Sequence, residues 1–426
     1  MRDRPKPDWY QWWMTSADRT STASVTSPVA PGSSPGDLFQ LLLDGTPRTR
    51  AELAQLTGLA RSTIAARVEA LMESGLISAV GEATSSGGRP PSRFAFDPSA
   101  RAVLAVDLGA MHAVVAITDL AGRVLLRRRT DLAIASGPTT VLDTVVAEAR
   151  QLLEVLQLTA GDLAGVGIGL PGPVEHTSGR PANPPIMPGW HGFDVPSYIR
   201  RSFDVTVLVD NDVNIMALGE QRMHWPSHDN LLFIKVSTGI GAGIIGNGQL
   251  QRGALGAAGD LGHVRVGRGG DVLCRCGNVG CLEALAGAPA IAAGLTGTNA
   301  HGSDDLVKLA EAGDVATIAA LRQAGRDLGE VLATCVSLLN PSVIVLGGAL
   351  SSAGDHVLAG AREVVYARSL PLATSQLTIA RALSSTDASS DDAGVIGASM
   401  MVTQHVLSAA AIEDLLVPRT REPVTP

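Results

Sequence analysis

Apolar residues follow no regular period over the first 36 residues of the chain and a clear one after them. This leader mixes Ser, Thr, Pro and Gly behind an aromatic cluster that comprises Trp9, Tyr10, Trp12 and Trp13. A segment of this composition cannot bury enough apolar surface to fold, so residues 1–36 are predicted to be disordered. The alternative is that the aromatic cluster docks on a partner or on the folded body.

The next part of the chain has the apolar spacing of three short helices, predicted at Asp37–Leu43, Arg50–Leu56 and Ser62–Ser74. Thr49 and Glu52 stand at the spacing of a capping box, which would start the second helix. Leu53 and Leu56 are expected to be the buried side chains of that helix. The third helix places Ile64 and its apolar neighbours one and two turns later on a single face.

The other face of the third helix is polar near its start, where it would enter the major groove of DNA. Two strand-like runs, Ile77–Val80 and Arg93–Phe96, flank a small polar tip and predict a wing that contacts phosphate or the minor groove. Residues 37–98 are therefore predicted to form a winged helix-turn-helix. The predicted DNA-contacting residues are Arg61, Ser62, Thr63, Arg67 and Arg89.

A small helical packing domain with an ordinary solvated surface is the alternative for this segment. Its charge favours DNA binding, because six arginines face four glutamates between Arg48 and Arg93 in a chain whose net charge is −8. That overall acidity argues against coating of nucleic acid by the whole protein, so any DNA contact must be local.

Residues 99–408 read as an α/β body with an aliphatic core, since 45% of all residues are hydrophobic but only 3% are aromatic. The predicted elements are the strands Ala102–Asp107 and Val207–Asp212, the helix Val213–Glu220 and a last helix at Val395–Gln404. Residues 409–426 are left as a C-terminal tail. The uncharged stretch 331–354 contains Asn340-Pro341 and Gly347-Gly348, so it reads as helix, turn and strand and not as a membrane span.

Three of the four cysteines lie close together, and His263 precedes them. The spacing H-x10-C-x-C-x4-C, with glycines between the ligands, is typical of a closed four-ligand zinc site, which would be structural. The predicted ligands are His263, Cys274, Cys276 and Cys281. The alternative is that these cysteines are small buried hydrophobes, as Cys335 is expected to be. A metal-binding cysteine pattern and the lack of a secretory signal also predict a cytoplasmic protein.

The segments AGDLGH (Ala258–His263) and CRCGNVGCLE (Cys274–Glu283) closely resemble the signature of the ROK family of sugar kinases and sugar-responsive repressors. The resemblance runs from about Ala100 to Leu407. It implies a two-lobed, actin-like (ribonuclease H-like) ATPase fold behind the winged helix, an arrangement that resembles the family's repressors, whereas its kinases usually begin at the first strand.

The resemblance also implies two phosphate loops, whose predicted residues are Asp107, Gly109, Thr238, Gly239 and Gly241. The family's kinases have D-x-G-G-T at the first loop, where this chain has Ala110 and Met111 in the last two positions. Loss of the hydroxyl donor and insertion of a bulky thioether should impair phosphate binding, which makes ATP and magnesium doubtful cofactors, although Asp107 remains as a carboxylate that could link magnesium. The second loop, which begins at Ser237, is better kept, although glycine turns also serve packing alone.

The sugar-binding residues implied by the resemblance are Gly172, Asn211, Asp212, Asp260, His263 and Glu283. Asp212 matches the general base of the kinases, and in a receptor it would still accept a hydrogen bond from a sugar hydroxyl. The family usually has Glu at the position of Asp260, so ligand identity can differ here.

These features predict a carbohydrate-responsive repressor that binds operator DNA and a sugar or sugar phosphate as a homo-oligomer, either a dimer or a tetramer. The first alternative is an ATP-dependent sugar kinase with an appended DNA-binding head, in which Asp212 would be catalytic. The second is a repressor controlled by a protein partner and bound to no sugar.

Overall fold

The computed structural model describes residues 34–82, 91–383 and 392–416. The strands are β1 Arg48–Thr49, β2 Ile77–Glu82, β3 Ser92–Phe96, β4 Ala102–Leu108, β5 His112–Asp119, β6 Val124–Asp131, β7 Leu163–Leu170, β8 Val174–Glu175, β9 Arg180–Pro181, β10 Thr206–Asn211, β11 Leu231–Val236, β12 Ile240–Gly246, β13 Gln249–Leu250, β14 Val343–Gly347 and β15 Thr378–Arg381. The helices are α1 Pro35–Gln40, α2 Arg50–Thr57, α3 Arg61–Glu73, α4 Pro138–Val155, α5 Val195–Arg200, α6 Asp212–His224, α7 Glu283–Ala286, α8 Ala288–Gly294, α9 Ser303–Glu311, α10 Val315–Leu339, α11 His356–Arg368, α12 Pro371–Thr374, α13 Asp392–Val406 and α14 Ala409–Leu416.

The N-terminal head is a winged helix-turn-helix, as predicted. The capping box is present, since Thr49 accepts from the backbone of Glu52 and the Glu52 carboxylate accepts from the backbone of Thr49. The strand β1 was missed by the sequence analysis; it is two residues long and joins the wing in a sheet of order β1-β3-β2. The prediction that Leu56 is buried was wrong, because it is 60% exposed; Leu53 is buried in the core of the head, and Ala54 packs beside it.

Two five-stranded sheets with the same topology form the body. The first has the order β10-β7-β4-β5-β6 and the second β15-β14-β11-β12-β13. In each sheet the first three strands of this order run parallel to one another. The fourth strand is antiparallel to the third, and the fifth is antiparallel to the fourth. Each lobe therefore has the five-stranded arrangement of a ribonuclease H-like domain, and the predicted two-lobed fold is confirmed.

Helix α6 lies between the two sheets. Ile215 and Leu218 pack into the core cluster of the first lobe, whereas Val213 and Ala217 pack into that of the second. Long helices cover the outer faces, with α4 on the first lobe and α10 and α11 on the second. The first residue of α6 therefore stands where the lobes meet.

The C-terminal end of the chain differs from the prediction. Helix α13 is longer than expected, and the predicted last helix, Val395–Gln404, is followed by α14, inside the segment assigned to the tail. α14 packs on α1 of the head, and Val402, Leu407 and Ile412 belong to the same buried cluster as the head's own core. The head and the body thus share a core.

Within the described ranges, no single helix has the length and apolar composition needed to cross a bilayer, although α13 and α14 reach that limit together across a bend of 59°.

Candidate functional site

A cleft of about 930 Å³ opens between the two lobes. The structure places every residue that was predicted to bind sugar or phosphate on its wall, and their binding roles stay predictions. These residues are Gly172, Asn211, Asp212, Asp260, His263, Glu283, Asp107, Gly109, Thr238, Gly239 and Gly241.

The floor of the cleft holds an ion pair that the sequence analysis missed. The Lys235 Nζ atom lies 2.5 Å from Oδ2 of Asp212, whose side chain is 4% exposed. Burial lowers the pKa of the Lys235 ammonium, but the charges of Asp212 and Asp107 and the Asp212 hydrogen bond raise it above its usual value. Lys235 is therefore charged at neutral pH. A lysine inside the apolar strand LLFIKV was the available signal.

Two further sugar-site candidates have internal partners. The Asn211 amide donates to the carbonyl oxygen of Gly172 at 2.9 Å, and its Oδ1 caps α6 by accepting from the backbone of Val213. Oε2 of Glu283 accepts from the backbone N–H of Ile240 at 3.1 Å. These bonds fix both side chains at the cleft wall, so the groups predicted to bind sugar hydroxyls are held in place before any ligand binds.

The first predicted phosphate loop lacks features that an anion-binding site needs. Met111 stands at the mouth of the cleft with 68% of its side chain exposed. A Cβ atom on Gly109 would collide with the ring of His112, so this ring covers the loop. A thioether and a packed imidazole offer a phosphate less than the hydroxyl and open amides of a nest would.

The cleft wall carries more acidic than basic side chains. Among the residues that the structure describes, the cleft wall carries seven carboxylates, those of Asp107, Asp131, Asp212, Asp260, Glu283, Asp304 and Asp305, against three basic groups, those of Arg129, Lys235 and Arg275. With the histidines neutral, the formal balance is 3 − 7 = −4. This excess of negative charge favours an uncharged ligand over an anionic one.

His263 and the three cysteines converge as the spacing predicted. All four donor atoms lie within 4.8 Å of one another. The Nδ1 atom of His263 is 3.6 Å from the Cys274 sulfur, and the sulfurs of Cys276 and Cys281 are 3.7 Å apart. Burial and the neighbouring thiols raise the pKa of Cys281 to about 12, so a bound cation is needed to hold this sulfur ionised at neutral pH. The cluster can hold a metal ion.

The cysteine-bearing loop is tied to both the cleft and the second lobe. The Nε2 atom of His263 faces Oδ1 of Asp260 at 3.9 Å. Arg268 forms a bidentate ion pair with the buried Asp327 of α10. Formation of the metal site would therefore set the position of the His263 and Asp260 side chains at the cleft wall.

The predicted DNA-contacting residues lie at the start of α3. Arg61 and Ser62 are exposed, and Thr63 and Arg67 are half-buried. On the opposite face of α3, Ile64, Val68 and Leu71 are fully buried. Arg89 lies outside the described residues, so its predicted contact is untested.

A second unpredicted ion pair connects the lobes. Arg252, which follows β13, donates through Nε to Oδ2 of the buried Asp210 at 2.6 Å. His176 lies 3.8 Å from the same oxygen. Burial and the Arg252 charge lower the pKa of His176, so that it is neutral at pH 7.

Comparisons with known proteins agree with this geometry. The family model described as "ROK family" matches residues 103–405, and one described as "Winged helix-turn-helix DNA-binding" matches residues 38–78. The xylose repressor of Bacillus spizizenii is 30% identical over 87% of this chain and 94% of its own length. The regulator NagC of Escherichia coli is 26% identical over 89% and 94%.

Solved structures give the same division between head and body. A crystal structure of a ROK family transcriptional regulator, a homolog of the E. coli MLC protein, covers 90% of this chain and 98% of its own, with a TM-score of 0.74 and 25% identity. A ROK glucokinase from Streptomyces griseus in complex with glucose and AMPPNP covers 71% of this chain and 99% of its own, with a TM-score of 0.61 and 26% identity.

Proposed function

The chain belongs to the ROK family, and from that premise we propose that it is a transcriptional repressor that binds operator DNA through its winged helix and an uncharged sugar in the cleft between its lobes. The observation that carries the proposal is a winged helix that shares a core with a two-lobed body, whose cleft wall carries the residues predicted to bind hydroxyl groups. Because operator DNA is its target, we place the protein in the cytoplasm.

The charge of the cleft supports an uncharged sugar over a sugar phosphate. A phosphate dianion would enter a wall whose formal balance is already −4 and would be repelled. Asp212, Glu283 and Asn211 supply acceptors and a donor for hydroxyl groups in fixed directions, which a polyol satisfies. Several relatives are named xylose repressors, so pentoses belong in the first ligand panel.

A sugar kinase is the second candidate, and retention of Asp212 favours it. Phosphoryl transfer also requires the phosphates of ATP to be held in line. Met111 and the His112 ring on Gly109 oppose that. The receptor is therefore the better-supported function.

Helix α13 supplies a physical route from the cleft to the head. Near its N-terminus, Gly394 packs so closely on Asp107 that a Cβ atom would collide with the carboxylate. Near its C-terminus, Val402 lies in the head's core. We propose that sugar-driven movement of the lobes shifts α13 and thereby the placement of two heads in a homo-oligomer. The sugar can act only through its different affinities for the two arrangements.

Zinc is the proposed metal of the His263 cluster. A tetrahedral site with Zn–S bonds of about 2.3 Å has ligand–ligand edges of roughly 3.7 Å. The two separations given above, 3.6 and 3.7 Å, fit these edges. Four protein ligands would close the coordination sphere, so the metal would act on structure alone.

Operator binding and its control by sugars test the proposal. Duplexes selected from fragments of the source genome are titrated with full-length protein, without and with xylose, glucose, N-acetylglucosamine and their phosphates. We expect an uncharged sugar to lower the DNA affinity and the phosphates to have little effect. Arg67→Ala should weaken DNA binding by about 1–3 kcal/mol and leave sugar binding intact.

Asp212→Asn is the matched variant and should weaken sugar binding while leaving DNA binding without sugar unchanged. If the protein consumes ATP in the presence of sugar and Asp212→Asn abolishes this activity, the protein is a sugar kinase and the receptor proposal is wrong. Operator binding that responds to none of the sugars would favour control by a protein partner.

A further inference from the structure

Lys235 is placed unusually for a charged residue. It lies on β11, the central strand of the second lobe's sheet, and the other residues of that strand are fully buried and apolar. Its side chain reaches the cleft with 22% exposure. A lysine is retained in such surroundings only when it is paired.

Two carboxylates from the first lobe's side of the cleft pair with this one ammonium. Asp212, at the start of α6, accepts from Nζ at 2.5 Å. Asp107, at the end of β4, acts on the same ammonium through its charge and is 9% exposed. The ammonium thus counters the charge of two nearly buried acids on the cleft floor.

A pair of nearby carboxylates facing an open cleft is the donor set that Mg²⁺ and Mn²⁺ use beside phosphates. In this chain an ammonium on the protein itself contacts Asp212 and interacts with the charge of Asp107. A free metal ion would have to displace a hydrogen-bonded ion pair whose acid is buried, and this displacement is costly. The hydrogen bond from Lys235 also occupies Oδ2 of Asp212, the group that would act as the base in a kinase.

We propose that Lys235 is a built-in cation that takes the place of a divalent metal beside Asp212 and Asp107, so that the cleft accepts a sugar and excludes a metal–nucleotide complex. The lysine is a specificity-determining residue: it excludes the cation that ATP would need and leaves oxygen acceptors for hydroxyl groups. This role of Lys235 goes beyond the proposed function, because a repressor can bind a sugar without an internal cation in its cleft.

Mn²⁺ binding tests the proposal, because the electron paramagnetic resonance signal of free Mn²⁺ disappears when the ion is bound. The full-length protein is titrated without sugar or DNA, so the outcome is independent of the proposed function. We expect little binding at the cleft in the wild type and in Lys235→Arg, which keeps the charge. Lys235→Met should bind one Mn²⁺ per chain at least about tenfold more tightly, which is about 1.4 kcal/mol.

Lys235→Met with Asp107→Asn is the matched double variant and should lose the new Mn²⁺ site, since only one of the two carboxylates remains. If Lys235→Met proves too unstable to purify, Lys235→Gln replaces it, because its amide can still donate to Asp212. Thermal unfolding gives a second readout: Mn²⁺ should raise the Tm of the neutral variant and not that of the wild type.

Equal Mn²⁺ affinity at this site in the wild type and a folded neutral variant would overturn the proposal. So would a folded Lys235→Met or Lys235→Gln that binds no Mn²⁺.

Discussion

Met111 occupies the mouth of the cleft at the position where the ROK kinases have a threonine, and most of its side chain is exposed. On the floor, Lys235 holds the acid that corresponds to the kinases' base. Met111 lacks the hydroxyl donor of the kinases' threonine, and the ion pair engages the carboxylate that would act as the base. These two side chains support the proposed receptor over a kinase.

The four-ligand site of His263 and the three cysteines gives a prediction for a single residue. Cys276→Ser removes one thiolate, and the remaining three donors should hold zinc too weakly to retain it through purification. The folding free energy supplied by the metal is then lost, and His263 loses its fixed position, so the sugar response should weaken too. Atomic absorption and thermal unfolding measure the two losses.

Cys335→Ser is the control, because Cys335 lies in α10, buried and apart from the cluster. It should keep one zinc per chain. A zinc content that is the same in Cys276→Ser and in the wild type, or is zero in both, would contradict the assignment.

Among the elements, the crossing of α13 over α6 connects the ligand cleft with the head. Gly397 sits at this crossing, where a Cβ atom would collide with the carbonyl oxygen of Ile215. Gly397→Ala should therefore separate the helices and lower the free energy of unfolding by about 1–3 kcal/mol. Urea unfolding measures this, and the effect of sugar on operator binding should diminish in parallel.

Gly294→Ala provides a matched helical control, because no atom lies within 4 Å of its added methyl group. It should leave stability unchanged or raise it by up to about 1 kcal/mol. If Gly397→Ala loses no more stability than Gly294→Ala, the α6–α13 crossing tolerates a methyl group and is not a tight contact.

For the whole molecule, the Arg252–Asp210 pair joins one lobe to the other. Arg252→Met leaves the buried carboxylate with its hydrogen bonds from Asn211 and Asn214 and with His176 at 3.8 Å from Oδ2. We expect a loss of about 2–3 kcal/mol, near the low end for a buried pair because Arg252 is 22% exposed. The contact between the lobes should weaken too, so more sugar should be needed for half-maximal response.

Arg180→Met breaks a comparable contact inside one lobe, and its ion pair with Asp194 is exposed at both ends. This control should cost less than about 1 kcal/mol. If calorimetry shows equal losses for Arg252→Met and Arg180→Met, the interlobe pair does not hold the two lobes together.

The sequence by itself determined the features that depend on neighbours along the chain. The capping box of Thr49 and Glu52, the apolar face of α3 and the ligand spacing from His263 to Cys281 all lie within short segments, where local hydrogen bonds and periodicity dictate the structure. The wing, the fold class and eleven residues of the cleft wall followed from such local motifs and from the family signature they carry.

Only the tertiary structure decided the contacts between distant segments. The equal topology of the two sheets, the docking of α14 on α1, the exposure of Leu56 and the pairing of Lys235 with Asp212 each depend on which surfaces meet after folding. Local sequence patterns do not contain that information, because burial and Coulomb interactions act through space and not along the chain.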